Sequence, residues 1–94
     1  MRGGSVKVRV RYFARFRDLA GTSEEEIELK DGATIRDLIE EIKRRHERFK
    51  SEVFGEDFDE DADVNVSLNG RYVSWDEKLK DGDVVGIFPP VSGG

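Results

Sequence analysis

Between residues 6 and 12 apolar and charged positions alternate without a break, with Val6, Val8, Val10 and Tyr12 on one face and Lys7, Arg9 and Arg11 on the other. That period of two predicts a half-buried strand. Carrying the parity one step further puts Phe13 on the charged face. Residues 14–21 combine good helix formers with a closing glycine suited to a left-handed C′ position, so a short helix follows. Residues 24–30 alternate again with Ile27 and Leu29 inward, and Asp31-Gly32 closes that strand with a turn. The pattern then changes period. Over 34–49, Ile35, Leu38, Ile39, Ile42, His46 and Phe49 recur at helical spacing. Thr34 is placed to cap this long helix, Asp37 sits in its first turn, and Lys43, Arg44, Arg45 and Arg48 crowd its last turns, as the helix dipole favours.

Residues 51–63 are irregular and acidic. Alternation returns through Val64, Val66 and Leu68, and Asn69-Gly70 is the strongest short signal for a tight hairpin, with Arg71, Tyr72 and Val73 starting the return strand. The stretch 74–79 reads as a capped turn, Asp81-Gly82 as another reversal, and 84–88 as a nearly continuous apolar strand of the kind paired on both sides. Several strands with a single long helix to cover one face make an α+β domain. Its economical form is a ubiquitin-like β-grasp: a mixed sheet with the first and last strands adjacent and parallel at its centre and the helix packed across it. The organisation is therefore a β-grasp domain over 1–88 followed by an extended tail over 89–94 that ends in Gly-Gly.

Ninety-four residues suffice for one core and not for two. Charged residues make up 39% and hydrophobic ones 36%, polar for a folded domain but of mixed sign, unlike a disordered chain. The net charge of -5 argues against a general nucleic-acid binder, because phosphate neutralisation needs a basic surface. With no cysteine there is no disulfide framework and no thiolate nucleophile, so any sulfur chemistry must use sulfur from elsewhere. No apolar run is long enough to span a membrane and the N-terminus lacks a signal-peptide core, so no membrane partner and a cytoplasmic location are expected.

Few side chains offer catalysis. His46, the single histidine, lies on the apolar side of the long helix and reads as packing. Asp57, Asp59, Asp61 and Asp63 resemble the opening of a calcium loop, but Ala62 and Leu68 stand where its glycine and glutamate are needed. A solvated loop pinned by Phe54 and Phe58 is expected there, with no metal. No nucleotide-binding glycine loop occurs either.

The tail, FPPVSGG, is the remaining candidate. It starts from a buried strand, so its origin is fixed; Pro89 and Pro90 favour an extended chain, and Val91, Ser92, Gly93 and Gly94 follow. From Pro89 onward it spans at most about 20 Å, enough to enter another protein's active site while the domain stays outside. Gly93 and Gly94 carry no β-carbon and can pass a constriction. A carboxylate on Gly94 is a group that adenylation can activate, which makes the domain a group carrier whose catalysis comes from another protein.

The segments RYFARFRDLAGTSEEEIEL (11–29) and LNGRYVSWDEKLKDGDVVGIFPPVSGG (68–94) resemble the small subunits of molybdopterin synthase, within the ubiquitin-like sulfur carriers that also include the thiamine carrier. The resemblance covers about half of the chain, at its two ends, and the FPPVSGG ending is its most specific part. It implies that a MoeB-like, ubiquitin-activating-type adenylyltransferase adenylates Gly94 with ATP and magnesium, and that the carrier itself binds no cofactor. Sulfur then replaces AMP to give a thiocarboxylate. The large synthase subunit is implied as partner, in a heterotetramer, with the tail threaded into its active site to donate sulfur to cyclic pyranopterin monophosphate. Two alternatives share the activated tail: a protein modifier joined through Gly94 to lysines, and a sulfur carrier for transfer-RNA thiolation or thiamine synthesis.

Strand parity also predicts a docking surface. If Val85 and Ile87 point inward, Phe88 points outward, and Phe13 does so on the neighbouring strand. The two rings are expected to form one apolar patch beside the root of the tail, bordered by Arg15 or Arg17, and Phe13, Arg17 and Phe88 are the expected partner contacts.

Overall fold

The computed structural model describes residues 4–90. Along the chain it places β1 (Ser5–Tyr12), α1 (Phe16–Ala20), β2 (Glu24–Lys30), α2 (Ile35–Arg45), a 3-10 turn (Glu47–Ser51), β3 (Asn65–Leu68), β4 (Arg71–Tyr72) and β5 (Val84–Phe88). The strands form one sheet in the order β2-β1-β5-β3-β4. β1 and β5 run parallel at its centre, with Tyr12 opposite Ile87, and the remaining pairs are antiparallel. Parallel neighbours need a crossover, and α2 is part of the connection that supplies it. This is the mixed, helix-covered β-grasp sheet that the order of the predicted elements implies.

β1 alternates buried and exposed over its whole length, as its sequence pattern demands. Its inward residues meet Ile27 from β2, Val85 and Ile87 from β5, and the buried side of α2 formed by Ile35, Leu38, Ile39 and Ile42. α2 begins with a reciprocal cap: the Thr34 hydroxyl accepts from the Asp37 amide, and the Asp37 carboxylate accepts from the Thr34 amide at 2.9 Å. The next two amides, of Ile35 and Arg36, donate to the carbonyls of Glu77 and Trp75. The segment after β4 thus supplies acceptors for groups that a helix start leaves unpaired.

α2 is shorter than the apolar period implies. His46 leaves the helical region at φ -129°, ψ 90°, and the chain continues as the 3-10 turn. Phe49 is nevertheless fully buried, stacked on Phe16 and close to Tyr12 and Phe54. The break turns the chain so that Phe49 packs beneath α1, while its spacing in the sequence still matches a helix. Asn69 and Gly70 both take positive φ, the type I′ geometry that pairs Leu68 with Arg71.

The acidic segment is built rather than loose. The Asn65 side chain is fully buried and binds one loop residue twice, accepting from the Asp59 amide at 2.7 Å and donating to the Asp59 carbonyl at 2.9 Å. Gly55 lies so close to this turn that a β-carbon there would stand 2.6 Å from the Asp59 β-carbon, so only glycine fits without a shift. Asp57 and Phe58 both hold left-handed backbone angles, at φ 54° and 56°. Such angles cost about 1–2 kcal/mol for a residue with a side chain.

Candidate functional site

β5 ends at Phe88 and hands the chain to Pro89 and Pro90, both half-buried. Its position between β1 and β3 fixes that exit point from two sides. Val91, Ser92, Gly93 and Gly94, expected to form the threading and reactive part of the tail, lie outside the described residues. Around the exit point the outer face of the sheet is aromatic. Phe13 is 39% exposed, and its amide donates to the Ile87 carbonyl at 3.0 Å, one residue beyond the β1–β5 pairing. Its ring lies over Gly86, whose missing side chain leaves the space: a β-carbon there would be 3.4 Å from Phe13 and 2.7 Å from the Ser67 hydroxyl.

Phe88 does point outward, because Val85 and Ile87 are fully buried on the other face. It is half-buried rather than bare, since the Tyr72 ring from β4 covers it at a centroid distance of 6.2 Å. Tyr72 is itself exposed and packs against Phe58 at 5.0 Å. A row Phe58, Tyr72, Phe88 therefore runs along this face to the root of the tail. The cation that borders Phe13 is Arg11, 5.5 Å from the ring centre. Arg15, expected at this border, instead pairs with Glu52 and lies over Phe16. Arg17 is exposed on α1. Tyr72 and Phe58 were missed by strand parity alone, because the hairpin and the left-handed turn at Asp57 and Phe58 bring them to the row; the Asn69-Gly70 register was the one available signal for Tyr72.

A second cluster lies at the rim of the inner face. Glu25 accepts from the Tyr12 hydroxyl at 2.6 Å, lies 2.7 Å from His46 Nε2, and pairs with Arg45 at 3.6 Å. Burial would raise the Glu25 pKa, but the hydrogen bonds from Tyr12 and His46 and the neighbouring imidazole and Arg45 guanidinium outweigh it and hold the carboxyl below its ordinary range. Burial, then the bond to Glu25, push the Tyr12 hydroxyl far up. The ring of His46 meets Tyr12 edge-on. The cluster ties the end of α2 to β1 and β2, and His46 is a half-buried packing residue within it. Among the described residues no group of three or more His, Asp or Glu is arranged to hold a metal, and no helix is long and apolar enough to cross a membrane.

The row, with Tyr72 exposed and Phe58 and Phe88 half-buried, lies beside the strand from which the tail leaves. The ThiS family model matches residues 10–94. The chain is 40% identical over 91 residues to a molybdopterin synthase sulfur carrier subunit of Chlamydomonas reinhardtii, covering 95% of this chain and 100% of that protein. It is 33% identical over 82 residues to small archaeal modifier protein 1 of Haloferax volcanii, covering 87% and 94% respectively. The solved structure of a molybdopterin converting factor subunit 1 from Pyrococcus furiosus matches with a TM-score of 0.91 at 78% identity, covering 92% of this chain and 99% of that one.

Proposed function

Because the chain belongs to the ThiS family of ubiquitin-like sulfur carriers, we propose that it is the sulfur-carrier subunit of molybdopterin synthase. The observation that carries this reading is the exit of β5, the central strand, beside an outward-facing aromatic row. The chemistry resides on the Gly94 carboxylate. One of its oxygens attacks the α-phosphorus of ATP on a ubiquitin-activating-type adenylyltransferase, with magnesium, and pyrophosphate leaves. A sulfide-level nucleophile then displaces AMP to give the thiocarboxylate; where a persulfide is the donor, a thiol reduces the acyl disulfide. In the complex with the large synthase subunit, the thiocarboxylate sulfur attacks an oxygen-bearing side-chain carbon of cyclic pyranopterin monophosphate, whose carbon–oxygen bond breaks as the oxygen leaves, and a second charged carrier supplies the second sulfur of the dithiolene. Water cleaves the acyl–sulfur bond and returns Gly94 as a carboxylate. The carrier contributes position, and general acids and bases come from the large subunit.

The likeness to the modifier protein favours a second reading, in which the same adenylated Gly94 is joined to lysines of other proteins. Both readings share activation, so the test separates the later step. Incubation with the activating enzyme, ATP and sulfide, followed by intact-protein mass spectrometry, is expected to exchange one oxygen of the protein for sulfur. Addition of the large subunit and cyclic pyranopterin monophosphate should return the unmodified mass and yield molybdopterin. Deleting Gly94 should abolish both changes and leave the melting temperature unaltered. A chain that still gains sulfur without Gly94 would overturn the site, and lysine conjugates without molybdopterin would establish the second reading.

A further inference from the structure

We infer that Phe58, carried on the acidic segment 52–63, extends the surface on which the large synthase subunit docks, with Asp57, Glu60 and Asp61 facing a basic rim of that partner. The inference rests on the proposed function and adds a contact that strand parity does not predict. Its first support is conformational. Two consecutive residues with side chains, Asp57 and Phe58, are held at left-handed angles, which proteins retain where surrounding structure over-determines them. That structure is present: Asn65 grips Asp59 by both its side-chain groups, the Asp57 amide donates to the Val73 carbonyl, and the Glu56 carboxylate accepts from the Trp75 amide.

The result of this clamping is the placement of the Phe58 ring on Tyr72, outside the core. The segment already sends Phe54 inward to the core against Phe49, so Phe58 is not needed there. It lengthens the row that ends at Phe88, and a protein that receives the tail must abut Phe88. The occupant is thus the protein that takes the tail.

Charge narrows its chemistry. The segment 52–63 holds seven carboxylates and no lysine or arginine. Glu52 is paired with Arg15, while Glu56, Asp59 and Asp63 accept from backbone amides. Asp57, Glu60 and Asp61 are exposed and have no cation within ion-pair distance among the described residues. They repel nucleic acid and a second copy of the same surface, and favour a partner whose apolar hollow is edged with lysine or arginine.

Titration calorimetry with the large synthase subunit tests this on the full chain, with Phe88→Ala as a reference for the docking face. Phe58→Gly, which suits the left-handed angle, is expected to weaken binding about tenfold, and Phe58→Tyr to restore it. Asp57→Asn, Glu60→Gln and Asp61→Asn together should make the affinity less sensitive to salt. Wild-type binding that Phe88→Ala weakens and Phe58→Gly leaves unchanged would overturn the inference and leave the proposed function standing. A wild-type chain that does not bind the large subunit would overturn both. Phe58→Asn, also tolerant of the left-handed angle, guards against a folding defect. If it and Phe58→Gly both lower the melting temperature by more than about 10 °C, the ring is a structural prop and the inference fails.

Discussion

Ile87 and Phe88 are neighbours in β5 with opposite fates. Ile87 is fully buried between the sheet and α2, whereas Phe88 looks out from the other face and is covered only in part, by Tyr72. The outer face itself divides. Toward β2 it is charged and self-satisfied, with Arg9 and Arg11 reaching Glu24 across the strand pair. Toward β3 and β4 it is a row of rings in which Tyr72 is exposed and Phe58 and Phe88 are half-buried against it. A face whose polar groups already pair with one another has little to gain from a partner; a partly exposed aromatic row gains by losing the water that remains on it. On the proposed function, one side of β5 serves stability and the other recognition.

Substitutions at the two residues can break that assignment. Ile87→Ala should cost about 3 kcal/mol of folding stability through lost burial and a residual cavity, read as a lower denaturation midpoint in urea. Once folded, this variant should bind the large subunit normally. Phe88→Ala should weaken that association by about 2 kcal/mol while costing the isolated domain less than half of what Ile87→Ala costs. Equal losses of stability and binding at Phe88 would merge the two faces and remove the row as a docking site.

The smallest expected effect sharpens the comparison at the rim of the inner face, where Glu25 meets Tyr12, His46 and Arg45. The folded carboxyl has a lowered pKa, so its ionised form stabilises the fold. That contribution is complete above the ordinary glutamate range and is lost as the pH falls through the lowered folded value. Glu25→Gln should therefore cost about 1 kcal/mol or less at neutral pH, since the group is only half-buried, and nothing in acid. Denaturation of both proteins across the acid range measures it; a difference independent of pH would show that the carboxyl's charge is not what matters.

Much of the fold was legible because strand parity is a local property. Val6 to Tyr12 and Val84 to Phe88 state their faces residue by residue, and Asn69-Gly70 states its turn. What was hidden depends on partners distant in sequence. Helical spacing continues through Phe49 although the helix stops at Arg45, because a 3-10 turn can deliver a ring to the same core. Glu25 falls on the inward parity of Ile27, and a carboxylate there implies a partner, which His46, at the end of the apolar period that runs through α2, could have supplied. The Phe58 ring was expected as a pin for the loop; its place on Tyr72 depends on two left-handed residues that neither aspartate nor phenylalanine announces with certainty. The outward direction of Phe88 could be read from its neighbours, but its half-covering by Tyr72 could not.

The central place of β5 also has a mechanical meaning. A tail drawn into another protein's active site transmits any pull to the strand from which it leaves. β5 is gripped along its length by parallel β1 and antiparallel β3, so a pull along the strand loads both ladders in shear. The backbone bonds then share the tension, where a strand peeled from an edge would break them in turn. On the proposed function, the domain is thus a fixed anchor for its own line.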